Sequence, residues 1–166
     1  IFQRSAKVSL AVLFPSIILA MGVGSELGVQ EATYQPMKIA AAEAQWETCQ
    51  PCSFSAFQIG GGNNDQNPQK IIQIPYLLSF LATNSLDGQV IGLNELQAQY
   101  EQEYGPGYYI PNVFVQYWSM RLMAYTATLV MLMGLWGLWL WRRGKLLESK
   151  WFLRIAPIAI VAPYIM

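Results

Sequence analysis

The chain has 166 residues, 54% of them hydrophobic and 12% charged, with ten basic side chains against ten acidic ones and no net charge. That balance excludes a soluble domain with a strongly basic or acidic partner surface, and nucleic acid with it. Two cysteines and no histidine cannot close a four-ligand zinc site either.

Arg4 and Lys7 precede Val8–Gly24, an uncharged run long enough to span a bilayer if the Phe2–Lys7 turn counts partly as interface. No small-residue cleavage site follows before a mature domain, so the run reads as a retained span. Pro15 predicts a kink, which membrane helices tolerate when neighbours re-satisfy the freed carbonyl.

Residues 25–116 are polar and mixed, and are expected to form an extramembrane loop. Their informative stretch is Gln35–Thr48, QPMKIAAAEAQWET. Pro36 at a first helical position and the alanine run predict a short helix over Met37–Glu47. On it Ile39, Ala42, Glu43 and Trp46 share one stripe, which puts Glu43 among apolar neighbours. Lys38 lies about 140° around the helix from Glu43, so the two are not an i,i+4 pair and each needs another partner. Two readings are open: a proton-accepting carboxylate raised by desolvation, or an interfacial helix with Lys38 snorkelling and Glu43 solvated. Glu47, one helical turn beyond Glu43, would repel it when both are ionised.

Cys49 and Cys52, in Cys-Gln-Pro-Cys, leave three states open. An oxidising compartment favours a disulfide, and free thiols or an active redox pair are the alternatives. Gly60–Pro68, rich in Gly and Asn, predicts a mobile turn. Ile71–Ala82 is apolar, too short to cross and broken by Pro75, so it is expected on or in the interface. Asn94–Glu103 reads as a polar helix capped by Asn94 and stopped by Gly105-Pro106-Gly107. Tyr108, Tyr109, Tyr117 and Trp118 then suggest an aromatic belt at re-entry.

Leu122–Trp141 is a clean apolar run and the clearest span in the chain. Arg121, in the expected first turn of that span, requires an anionic partner. Basic residues gather at Arg4 and Lys7 and again at Arg142–Lys150; the positive-inside rule makes that side cytoplasmic and turns the loop outward. The last apolar stretch is shorter than the roughly 20 residues a crossing needs, so the chain is expected to be a fragment. The expected architecture is an all-α integral membrane protein: spans at 1–24 and 117–142, a large extracytoplasmic loop at 25–116, a cytoplasmic loop at 143–150 and a partial span at 151–166.

These residues carry a resemblance. The chain resembles the central part of subunit I of the cytochrome bd-type quinol oxidases, in its short-loop form. The likeness rests on Lys38 to Thr48, KIAAAEAQWET, on IPYLLSFLATNSLDGQVIGLNEL from Ile74 to Leu96, and on YWSMRLM from Tyr117 to Met123, in family order. It implies a multi-pass subunit of the bacterial cytoplasmic membrane that oxidises ubiquinol or menaquinol at an outward loop and passes electrons through haems to oxygen. Subunit II, a small accessory subunit and the lipid bilayer are the implied partners. The resemblance assigns quinol binding and oxidation to Lys38 and Glu43, with Gln35, Trp46 and Glu47 as second-rank candidates near the quinol. Trp46 reads either as an interface anchor or as a stacking platform. Met123 is the implied axial ligand of the low-spin haem b, and Arg121 its electrostatic support, with the haem propionates as the anionic partner expected for Arg121; a high-spin haem b and haem d belong to the full subunit. Thioether ligands are soft and neutral and raise a haem's potential, whereas without the motif Met123 and its rival Met120 both read as packing. The chain departs from the family's Gly-Asp after the first span with Gly24-Ser25-Glu26. The family's histidine ligands and its Gly-Arg-Gln-Pro-Trp stretch are not in this sequence. The alternative from another class is a non-enzymatic membrane assembly or transport subunit.

Overall fold

A computed structural model describes residues 2–165, without the side chains at 2, 3, 160, 162, 163 and 165. Ile1 and Met166, assigned above to the first and last spans, lie outside the described residues. The chain divides into a helix unit, made of the residues up to Val23 and those from Leu122 onward, and a loop unit, Gly24–Arg121.

Three helices build the helix unit: α1 (Phe2–Tyr34), α5 (Val113–Arg142) and α6 (Lys150–Ile165). Both α1 and α5 are long and apolar enough to cross a membrane. α1 runs past the expected end at Gly24 to Tyr34, because Ser25–Tyr34 contains no breaker until Pro36 pushes Gln35 out of helical geometry (φ −135°, ψ 57°). Leu10, Leu140 and Leu146 form a small core with Leu13, Trp136 and Phe152 around it. A side chain at Gly137 would crowd Leu10 and Phe152, each 3.0 Å from the added Cβ, so glycine there permits close approach. Lys7 lies 5.8 Å over the Trp141 ring, which brings the basic ends of α1 and α5 to one end of this unit.

The loop unit holds α2 (Pro36–Ala42), β1 (Phe54–Ile59), β2 (Gln69–Ile74), α3 (Leu77–Thr83) and α4 (Leu93–Tyr104). Its core is Met37, Ala40, Ala41, Trp46, Leu93, Leu96, Val113 and Tyr117. Four sequence expectations are corrected here. The helix expected to reach Glu47 stops at Ala42, with Glu43 as C-cap and Ala44 in left-handed geometry (φ 46°). The strands replace a purely helical loop: β1 and β2 pair antiparallel, with Phe54 opposite Ile74 and Gln58 opposite Lys70. The segment expected as one interfacial stretch over 71–82 is therefore the end of β2, then Pro75, then α3. The N-cap of α4 is Gly92, not Asn94, and any side chain at Gly92 would run into the Trp46 and Glu47 backbone.

Gly105 ends α4 at φ 98°, as the sequence predicts. The Gly60–Pro68 turn is tied down rather than free. Asn63 donates to the Tyr108 hydroxyl at 3.0 Å and to the Pro111 carbonyl at 2.9 Å, and accepts from the Val113 N–H at 2.9 Å. The aromatic residues serve this unit too, and not only a belt: Tyr117 is buried, Trp118 meets Phe57 edge-on at 5.5 Å, and Tyr109 meets Tyr100 at 6.0 Å.

Candidate functional site

Glu43 and Arg121 are 3% and 1% exposed, and they meet. The guanidinium donates through both terminal nitrogens to the two carboxylate oxygens, at 3.1 and 2.7 Å, and through Nε to the Ser55 carbonyl at 2.8 Å. Its plane lies 4.3 Å from the Phe54 ring and 4.4 Å from the Tyr117 ring. A planar, delocalised cation suits such a slot, and its fork matches a carboxylate. Tyr117 in turn donates to the Ser55 carbonyl at 3.1 Å. Burial pushes the Glu43 carboxyl above its ordinary range, and Arg121, Lys70 and the Ser55 N–H pull it back down.

The sequence placed Arg121 in the first turn of a span, but α5 begins at Val113 and Arg121 sits two turns inside it. The anionic partner it requires is Glu43. The early stop of α2 makes this possible, since the chain leaves the helix at the residue that pairs. Trp46 and Glu47 are then no longer on one helical stripe with Glu43, and the helical spacing that predicted Glu43–Glu47 repulsion is absent.

Lys38 is exposed and pairs with Glu31 of α1, across the break at Gln35-Pro36. Lys38 and Glu43 therefore have separate partners, neither visible as a spacing pattern. Gln35 and Glu47 are exposed. Trp46 is 3% exposed, and its indole N–H donates to the Gly61 carbonyl at 3.1 Å, so it works mainly as a core residue. Cys49 and Cys52 are disulfide-bonded, with Cα atoms 5.2 Å apart, and the Cys49 backbone bridges to Val90. Sequence reasoning missed Ser55, Tyr117 and Lys70. Lys70 had a signal, being the single basic residue between Lys38 and Arg121. Ser55 and Tyr117 had none beyond an alternating strand pattern and an aromatic cluster.

Met123 is 47% exposed on α5. It lines an apolar cavity of about 650 Å³ in the helix unit with Ile17, Ala20, Met21, Ala127 and Met131. Arg121 and Met123 are two residues apart and so about 200° apart around the helix. An exposed thioether is a soft, neutral donor, and the apolar cavity beside it has room for a large apolar ligand.

Two described helices are long and apolar enough to cross a membrane, and a buried ion pair joins Glu43 to Arg121. The family described as cytochrome bd terminal oxidase subunit I matches residues 1–166. The chain is 39% identical to cytochrome bd ubiquinol oxidase subunit 1 of Bacillus subtilis (strain 168), over 99% of its own length and 35% of that protein. It is 25% identical to cytochrome bd-II ubiquinol oxidase subunit 1 of Escherichia coli (strain K12), over 90% of its length and 40% of that protein. Its fold is similar to that of bd oxidase from Geobacillus thermodenitrificans, with a TM-score of 0.66 at 22% identity, over 95% of this chain and 33% of the other. The chain belongs to the cytochrome bd terminal oxidase subunit I family. It spans 35% and 40% of the two relatives named, both of which are oxidase subunits.

Proposed function

We propose that this chain is the quinol-oxidising part of a terminal oxidase subunit in an aerobic respiratory chain. In this reading residues 25–116 face outward from a bacterial cytoplasmic membrane that the subunit crosses several times. The observation that carries it is the buried Glu43–Arg121 ion pair, which fastens the Lys38-to-Glu43 motif to the helix that continues to Met123.

Quinol oxidation releases two electrons and two protons, and a base must stand where a proton leaves. Glu43 is that base: burial strengthens its hold on a proton, and the Arg121 guanidinium opposes that without overcoming it. Lys38 is the positioning donor. Its pair with Glu31 is exposed and opens at a cost of about 0–1 kcal/mol, which frees the ammonium for a quinol oxygen. Gln35 and Glu47, both exposed, and the edge of Trp46 are second-rank quinol contacts.

Met123 would hold the low-spin haem b through its thioether sulfur, and Arg121, its charge shared with Glu43, would support it electrostatically. When bound there, a haem supplies one-electron redox chemistry. The high-spin haem b, haem d and the imidazole ligands belong to the rest of the subunit, and subunit II and a small accessory subunit to the complex. The quinol is ubiquinol or menaquinol.

The test is Glu43→Gln in the whole oxidase. Quinol oxidation should fall by about 10²- to 10⁴-fold, with haem content unchanged and an artificial donor still reducing oxygen. A parental quinol rate in that variant would move the base elsewhere, with Glu47 or Glu26 next.

A further inference from the structure

Glu43 is 3% exposed, so a proton it takes up reaches water only along a polar path through the loop unit. Arg121 holds both carboxylate oxygens. The second cation acting on Glu43 is Lys70 of β2. Lys70 is half-buried and donates to the Gln45 side-chain carbonyl at 2.8 Å. Lys70 and Gln45 both line a cavity of about 320 Å³, together with Trp46, Gln66 and Asn94.

Opposite Lys70 across the hairpin stands Gln58. It is 1% exposed, and neither its Nε2 nor its Oε1 has a hydrogen-bond partner among the described residues. Its amide sits beside Gly61: a Cβ added there would meet Gln58 Nε2 at 2.7 Å, Pro68 Cβ at 2.9 Å and Ala44 Cβ at 3.3 Å. Pro68 and Ala44 also line the cavity. A carboxamide at this depth requires partners, and the cavity that Ala44 and Pro68 line on their other side has room for several waters.

We propose that this cavity is the route by which a proton leaves Glu43 for the aqueous side, with Gln58 anchoring its inner water and Lys70 as the positioning residue beside it. The inference rests on the reading of Glu43 as the quinol's proton acceptor. The quinol O–H bond breaks, its proton joins the Glu43 carboxylate, and a proton then passes through hydrogen-bonded water to bulk, which leaves Glu43 ionised again. The electron goes to the oxidase's own acceptor, which is reduced as the quinol is oxidised. The charged and titratable groups around the pair are Lys70 of β2 and Tyr117 and Arg121 of α5; at the cavity they are Lys70 and Glu47. Burial weakens the hold of Lys70 on its own proton, with Glu43 opposing that and Arg121 adding to it.

The test uses the intact oxidase with Lys70→Met, Lys70→Arg and Gln58→Leu, reading the haem spectrum and the pH profile of quinol oxidation. Lys70→Met should slow quinol oxidation about tenfold and move the profile's midpoint to higher pH, since losing a cation makes Glu43 harder to ionise. Lys70→Arg should restore both. Gln58→Leu should slow the reaction severalfold and raise the solvent deuterium isotope effect, without moving the midpoint. Parental rates and midpoints in Lys70→Met and Gln58→Leu, with Glu43→Gln still slow, overturn the route and leave Glu43 as the base. Slowing in Lys70→Met that arginine does not rescue, with an unmoved midpoint, also overturns it. A parental rate in Glu43→Gln removes the reading of Glu43 and this inference with it.

Discussion

The loop unit and the helix unit are held by different forces. In the loop unit, side chains are bound to groups far away in sequence: Glu43 to Arg121, Asn63 to the Val113 backbone N–H, Thr48 to Glu95 at 2.5 Å. In the helix unit the described contacts are apolar and few, and Ile18, Leu19, Met21, Leu132 and Trp139 stand exposed. Large apolar surfaces are not left in water, so this one needs a cover that the helix unit does not supply itself. The lesson is that the loop unit carries its own specificity in polar links, whereas the helix unit depends on its surroundings. Substitutions that act on one unit and spare the other test this contrast.

The largest effect is expected at the buried pair. Arg121→Leu leaves an unpaired carboxylate in the core of the loop unit, a defect that costs about 3–5 kcal/mol. Hydrogen exchange over β1 in the whole oxidase should speed strongly, while α6 is unchanged. Equal loss in both units would mean that they do not fold as separate bodies. The pair also has a pH signature. Burial raises the folded-state pKa of Glu43 above the ordinary 4.5, so the folded protein holds that proton more tightly than the unfolded chain does. Its contribution is full below the ordinary carboxyl range and is lost as pH rises through the raised value. Protection of β1 in the parent relative to Glu43→Gln should therefore decline with rising pH. A difference that grows with pH would show that Arg121 outweighs burial.

In the helix unit the counterpart is Met123→Leu, which keeps the volume and loses the sulfur lone pair. We expect loss of the low-spin haem b spectrum, or its conversion to high spin, with hydrogen exchange in the loop unit unaltered. Met120→Leu should leave the spectrum nearly normal. If Met120→Leu alone removes it, the ligand lies one turn away.

Much of this contrast was legible in the sequence, for physical reasons that can be named. Hydropathy marked α1 and α5 because a spanning helix must be apolar over its length, and Pro36 and Gly105 marked ends because their backbones leave few choices. The end of α2 was not legible. Ala41 to Glu47 are good helix formers, and the helix stops because Glu43 is claimed by Arg121 while the Gln45 and Trp46 carbonyls accept from Leu93 and Asn94 at 2.9 and 3.2 Å. The hairpin was readable in hindsight. Phe54–Ile59 and Gln69–Ile74 flank a turn rich in glycine, a strand signal that the membrane reading of Ile71–Ala82 overrode. Distant polar pairings such as Asn63 with Val113 leave no local pattern at all.

A smaller effect is expected from the disulfide. Opening the Cys49–Cys52 ring should cost the loop unit about 2 kcal/mol on the loop-entropy estimate. The Cys49–Val90 bridge and the Cys52 N–H bond to the Ser79 hydroxyl at 2.7 Å should loosen together. Maleimide labelling of intact cells after reduction checks both the bond and the outward orientation. Labelling that requires membrane disruption would place the loop on the other side.

The smallest structural effect belongs to Lys38, and for that reason it separates structure from function most cleanly. Its partner Glu31 is on the same exposed surface, where an ion pair is worth about 0–1 kcal/mol and salt screens it further. Lys38→Met should therefore leave hydrogen exchange over β1 and the haem spectrum as they are. As a donor that holds substrate and transition state about equally, its loss should raise the apparent KM for quinol severalfold and change kcat little. Glu31→Gln frees the ammonium from its resting partner without removing it, so it should leave KM unchanged or lower it. If Glu31→Gln instead raises KM as much as Lys38→Met does, the ion pair itself is what the quinol needs, and the contrast between a structural buried pair and a dispensable exposed one fails.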